Sequence, residues 1–150
     1  ALAVAVTEDA RRISARLRLT NAEMRMLDSM GHRWWRLAGM DEATAQKRLY
    51  RLGEARFRDR VMLAWARAGR LADAGYWSNL LALPERWPVP PFPLKAADFT
   101  ARGFTEGPAL GHVLSLAEDA WLAAGFPGDP AALNAIADQT AARFARDHKL

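Results

Sequence analysis

Few residues in this 150-residue chain are of types that perform bond chemistry, and their spacing does not bring them together. The histidines, His32, His112 and His148, share no ligand spacing with one another or with carboxylates, so each reads as a surface or capping histidine rather than a metal ligand. A metal phosphohydrolase carries His followed by Asp, whereas Asp147 precedes His148. Neither a G-x-S-x-G elbow nor a Walker loop occurs. The carboxylates Asp41-Glu42 and Glu118-Asp119 are direct neighbours. Neighbours in a helix point about 100° apart and do not converge on one substrate atom. They read as a helix start and a solvated helix face. With no cysteine, the chain has no disulfide scaffold, thiolate zinc site, iron–sulfur cluster or cysteine nucleophile, and it fits a reducing compartment. No catalytic residue and no metal site is expected within it.

Cations are arranged with more purpose. Lys47, Arg48, Arg51, Arg56, Arg58, Arg60 and Arg67 fall on two consecutive expected helices. Lys47 and Arg51 are one turn apart, as are Arg56 and Arg60, and Arg67 follows two turns on. Arg56, Arg60 and Arg67 line up as a phosphate track, and Lys47, Arg48 and Arg51 are the further candidates for contact with nucleic acid. The competing reading is a solvated helix face partly neutralised by Glu54 and Asp59. The whole chain carries a net charge of +4. Residues 1–70 hold 15 Lys+Arg against 8 Asp+Glu, a net of +7, and residues 71–150 hold 6 against 9, a net of −3. Only Lys47, Lys95 and Lys149 are lysines. Arginine's planar fork suits phosphate oxygens, although a genome rich in G and C also raises Arg together with Ala, of which there are 31.

The elements that position these residues are helices, and the expected fold is all-α, a compact array of about eight helices. Thr7 reads as an N-cap, with Ala10, Ile13 and Leu17 inward. Thr20-Asn21-Ala22-Glu23 has the form of a capping box before a helix carrying Met24, Met26, Leu27 and Met30 and stopping near Gly31. A short helical turn holds Trp34 and Trp35. Asp41 caps a helix ending at Gly53, and Glu54 to Ala68 carries a stripe of Phe57, Val61, Ala64, Trp65 and Ala68. A helix from Asp73 to Leu83 buries Tyr76, Trp77, Leu80 and Leu81. Pro84, Pro88, Pro90, Pro91 and Pro93 then make residues 84–93 an extended connector between a basic helical body, 1–83, and a C-terminal helical subdomain, 94–150. Ala96 to Ala101 forms a short helix ended by Gly103. Pro108 opens a longer one that buries Leu110, Val113, Leu114, Ala117, Trp121 and Ala124, and Asp129-Pro130 starts the last helix. No apolar run of about eighteen residues exists, so no membrane span is expected. The apolar opening Ala1 to Val6 is too short for a signal sequence, and the lack of an initiator Met suggests a piece of a longer protein.

The segment from Ala96 to Trp121 has the outline of a helix–hairpin–helix, a short helix and a glycine-containing turn before a helix start whose amides can hold a phosphate. Against this, Pro108 has no amide hydrogen and Glu106 repels an anion. The blander account is that Gly107 and Gly111 let two helices approach closely. The same segment carries a family resemblance. Pro93-Leu94, Asp98-Phe99, Gly103, Gly107-Pro108, Gly111 and Leu114 resemble a motif in the C-terminal helical region of bacterial CCA-adding tRNA nucleotidyltransferases, of the poly(A) polymerase-like family. Leu17 to Glu23 is similar to that family's LRLSNAE run. Leu49-Tyr50-Arg51-Leu52-Gly53, with Phe57, Asp59 and Leu63, is similar to its YRLG helix pair. The three stretches keep family order. Ala96 replaces a common glycine, and Phe99 a common leucine.

The resemblance implies a cytoplasmic enzyme whose N-terminal head, outside this chain, adds CTP and ATP units to tRNA 3′ ends with Mg²⁺. The present chain would be its non-catalytic body and tail, holding tRNA through the phosphate backbone. A different class of function remains open, a helical protein-interaction module with no RNA role, docking through Trp34-Trp35 and the stretch from Trp77 to Trp87.

Overall fold

A computed structural model describes residues 7–31, 34–69 and 72–148. Among the described residues there are nine α-helices and no strand: α1 (Thr7–Arg16), α2 (Asn21–Gly31), α3 (Glu42–Leu52), α4 (Glu54–Ala68), α5 (Ala74–Leu81), α6 (Leu83–Arg86), α7 (Ala96–Thr100), α8 (Pro108–Ala123) and α9 (Pro130–His148), with a 3-10 turn at Trp34–Leu37. The fold is all-α. The chain divides into two units, Ala1–Val89 and Pro90–Leu150.

Short-range hydrogen bonds start these helices. The Thr20 amide and hydroxyl both donate to Glu23 Oε2 at 2.8 Å, and the Glu23 amide donates back to Thr20 Oγ1 at 3.3 Å. This reciprocal box satisfies amides that the helix itself leaves orphaned. Asp41 Oδ1 accepts from the Thr44 amide at 2.8 Å, Asp73 Oδ1 from the Gly75 amide at 2.9 Å, and Asp129 Oδ1 from the Ala132 amide at 2.8 Å. The cap expected at Thr7 lies outside the described side chains.

In the N-terminal unit, Leu37, Ala45, Leu49, Phe57, Val61, Ala64, Trp77, Leu80 and Leu83 form one buried cluster, with Met40, Trp65, Tyr76 and Trp87 packed partly against it. Tyr76 ties the 3-10 turn to α5: its hydroxyl donates to the Leu37 carbonyl and accepts from the Met40 amide at 3.0 Å. Helix α2 packs on both α1 and α4. This gives α4 a second covered side, and Leu63 is buried while Ala68, expected in the core, is exposed. Leu17, also expected inward, lies one residue past α1 and is 57% exposed.

The connector departs from expectation at its first residues. Pro84 sits in the first turn of α6, so residues 84–86 are helical rather than extended, and the single helix expected over 73–83 gives way to α5 and α6. A first-turn amide has no acceptor within its own helix, so proline forfeits no hydrogen bond there. The helix stops at Trp87, whose amide donates to the Leu83 carbonyl at 2.9 Å and whose φ of −129° begins the extended run.

Aromatic edges hold the C-terminal unit. Phe104 meets Phe99 at 6.2 Å and Phe144 at 5.5 Å, and Trp121 meets Phe92 at 5.4 Å and Phe126 at 5.0 Å. Such pairs contribute roughly 0.5–1.5 kcal/mol each beyond burial. Leu110, Val113, Ala117 and Trp121 are buried as the helical spacing anticipates, and so are Ile136, Ala137, Thr140 and Phe144 of α9. Leu122 is also buried, whereas Ala124 is exposed and Leu114 half-buried. Arg102, in the turn after α7, clasps α9: Nε donates to Asp138 Oδ1 at 2.7 Å and Nη2 to Asn134 Oδ1 at 3.3 Å, while Nη1 donates to the Asp98 carbonyl at 2.6 Å.

Arg102→Ala should lower the stability of this unit by about 1–2 kcal/mol, since charge-assisted bonds are worth roughly 1.5–3 kcal/mol and the partner carboxylate is partly solvated. A urea titration that leaves the midpoint in place would refute the clasp. Thr20 holds the Glu23 carboxyl below its ordinary value, and Thr44 does the same for Asp41. A carboxyl depressed on folding stabilises above its unfolded pKa and loses that effect as pH falls through the folded one. The melting temperature of the N-terminal unit should therefore drop between about pH 5 and pH 3, and less steeply in a Glu23→Gln, Asp41→Asn double variant.

Candidate nucleic-acid interface

The basic face is built on a corner of one residue. Gly53 alone joins α3 to α4: its amide donates to the Leu49 carbonyl at 2.9 Å, closing α3, and its carbonyl accepts from the Phe57 amide at 3.0 Å, opening α4. Its φ of 75° lies in the left-handed region, where a Cβ is strained and glycine is not. With the corner set, Ala45 and Leu49 of α3 and Phe57, Val61 and Ala64 of α4 turn into the common core. Helical register then leaves Arg48, beside Leu49, at the edge of that core, and puts Arg56 and Arg60 one turn apart along one flank of α4. Arg48 and Arg60 are half-buried, and Arg56 is exposed. The 3-10 turn packs on α4 and brings the exposed Arg36 to the group.

These cations act on one another. Burial pushes the Arg48 guanidinium below its ordinary value, Arg36 pushes the same way, and the Tyr76 hydroxyl opposes them. Arg60 is lowered by burial, then by Arg48 and by Arg56. Arg48 and Arg60 stay charged at neutral pH, because arginine begins so far above it. Arg48 thus feels Arg36, Arg60 feels Arg48 and Arg56, and burial strips part of the water from Arg48 and Arg60.

The other cations of the two helices go elsewhere. Arg58 donates from Nε to Glu54 Oε1 at 3.1 Å and from Nη2 to Glu85 Oε1 at 3.0 Å. Those bonds, Glu85 first, raise its guanidinium above the ordinary value. Arg67 shares the flank of Arg60 by register, yet the charge that acts on it is Asp9 of α1, against the lowering by burial. Lys47 acts on Asp41 at the start of α3, and Arg51 is exposed near its end. Arg36 was not among the sequence candidates, because it lies in the short turn and only tertiary packing delivers it.

The motif residues of the C-terminal unit shape a turn. Asp98 Oδ2 accepts the Lys95 amide at 2.7 Å and so starts α7. Gly103 (φ 90°) and Gly107 (φ 145°) take backbone conformations that side chains rarely adopt, and Pro108 is in the first turn of α8. The close-approach account of Gly107 and Gly111 does not hold: a Cβ at either would meet no atom within 4 Å. Among the described residues, no group of three or more His, Asp or Glu side chains could hold a metal ion, and no helix is long and apolar enough to cross a membrane. Trp77 is buried in the core and Trp87 packs partly against it, so neither forms an open docking face, and the side chains of Trp34 and Trp35 lie outside the described residues. An apolar groove does exist on another side of α4, about 590 Å³ in volume, lined by Met62, Trp65, Ala66, Gly69 and Leu81.

No known protein family, characterised protein or solved structure matches this chain. Since space is open around Gly111 inside α8, Gly111→Ala should stabilise the C-terminal unit by about 0.5–1 kcal/mol. A loss of stability in chemical denaturation would restore the close-packing account.

Proposed function

We propose that the chain is an RNA-holding helical domain that grips the phosphate backbone of tRNA and leaves bond-making to a head domain outside it. The family resemblance points to a CCA-adding tRNA nucleotidyltransferase, or a poly(A) polymerase-like relative, whose head would use CTP, ATP and Mg²⁺. The observation that carries this reading is that α3, α4 and the 3-10 turn packed on α4 bear Arg36, Arg48, Arg56 and Arg60, with Arg36 acting on Arg48, and Arg48 and Arg56 acting on Arg60. Glu54 and Glu85 pair with Arg58, and Glu42 pairs with Arg86. Like charges held together and partly dried are unfavourable for the free protein, and a polyanion relieves them. Recognition would be by phosphate and shape, since side chains on helices do not reach base edges in the deep groove of paired RNA.

The chain should bind tRNA with micromolar or weaker affinity, falling steeply with salt. The double reversal Arg56→Glu, Arg60→Glu should weaken retention at least about tenfold and reduce the slope of log affinity against log salt by about two, one for each lost phosphate contact. Filter binding of tRNA across a salt series measures both, and a flat salt dependence in the unaltered protein would refute the proposal. The groove at Met62 and Trp65 favours a second reading, a protein-docking module. Under that reading Met62→Lys abolishes partner capture, and the arginine reversals change nothing.

A further inference from the structure

We propose that the pocket between α3, α5 and α6 binds an apolar α-amino acid, whose side chain enters the pocket while its carboxylate meets Arg86 and its ammonium meets Glu42. The inference is independent of the RNA reading and of the basic face.

The pocket holds about 260 Å³. Its inner lining belongs to the core: Ala45 of α3, Leu80 of α5 and Leu83 of α6 are buried, and Met40, just before α3, packs against that cluster. Tyr76 lines it too, but its hydroxyl is engaged by the Leu37 carbonyl and the Met40 amide, so its ring is the surface it offers. An apolar cavity of about 150 Å³ is enough to take benzene, so a leucine or phenylalanine side chain has room here.

The rim is polar and carries one charge of each sign. Glu42, Asn79 and Arg86 are the lining residues that are exposed. Arg86 Nη2 donates to the Asn79 carbonyl at 3.1 Å, while Nη1 stands 3.6 Å from Glu42 Oε1, too far for a hydrogen bond. The Glu42 and Arg86 side chains are 62% and 49% exposed, so each has space for a further partner. An α-amino acid carries a carboxylate, an ammonium and a side chain on one carbon. With the carboxylate on the Arg86 fork and the ammonium on Glu42, the four charges alternate in sign around a ring, and the side chain faces the apolar lining. A lone carboxylate would be attracted by Arg86 but repelled by Glu42, and a lone ammonium the reverse. The rim thus selects a zwitterion, and the lining selects an apolar side chain over none.

Thermal unfolding of the whole chain tests each part. Tryptophan fluorescence reports mainly the N-terminal unit, since Trp121 is the one tryptophan outside it. Melting would be compared in L-leucine, glycine, 4-methylpentanoate and 3-methylbutylamine, each at about 10 mM and at one pH and ionic strength. L-Leucine should raise the melting temperature by about 3 °C over glycine, which has both charges and no side chain. The two singly charged analogues should give less than about half of that gain. Glu42 and Arg86 form an exposed pair of little weight in stability, so Arg86→Gln and Glu42→Gln should fold, and each should lose the leucine gain. Arg58→Gln breaks surface pairs outside the pocket and should keep it. Equal melting in leucine and glycine overturns the site, as does a leucine gain that survives in both Arg86→Gln and Glu42→Gln or disappears in Arg58→Gln. A gain from either singly charged analogue equal to that from leucine overturns the zwitterion assignment.

Discussion

The structure of the N-terminal unit depends on the corner at Gly53. One residue in the left-handed region ends α3 and begins α4, so neither helix can rotate without losing a backbone bond to the other's cap. Once both helices must present Leu49, Ala45, Phe57 and Val61 to the same core, the positions of their flanking residues follow. Arg48 and Arg60 end at the margin of that core because they are the register neighbours of residues that cannot leave it. The clustering of positive charge is thus a consequence of apolar packing, and hydrophobic burial outweighs the repulsion it imposes. Each large apolar side chain buried there contributes roughly 1.5–3 kcal/mol, more than a screened pair of like charges near the surface removes.

Some of the charges of this unit fasten its surface. Arg58 and Arg86 bind carboxylates and fasten surface segments, Arg58 reaching α6 through Glu85 and Arg86 reaching α3 through Glu42. Pairs of this kind are worth about 0–1 kcal/mol, so they adjust stability without determining it. Arg48 is acted on by Arg36, and Arg60 by Arg48 and Arg56.

Much of this was legible in the sequence where the cause is local. The Thr20–Glu23 box, the Asp41, Asp73 and Asp129 helix starts and the Gly53 corner each depend on groups within a few residues, and the helical spacing of Phe57, Val61 and Ala64 was enough to define a core face. What was not legible depends on distance. Leu63 is buried outside the stripe of Phe57, Val61 and Ala64, on a helix that α2 also packs against, and periodicity on one helix does not report such tertiary cover. Arg58 leaves the basic face because Glu85, 27 residues later, takes it, and Arg67 because Asp9 approaches from α1. Pro84 was misread for another reason: a run of prolines suggests extended chain, yet the first proline of the run stands where a helix tolerates one.

In the C-terminal unit the start of α8 is poorly built for an anion, although glycines and a helix start there resemble a phosphate loop. Pro108 offers no amide at the position closest to an incoming anion, and Glu106 beside it is exposed and negative. Arg102, the cation of that turn, is held by Asp138, Asn134 and the Asp98 carbonyl, and freeing it would release the clasp on α9. An anion at this turn would compete with structural bonds already made.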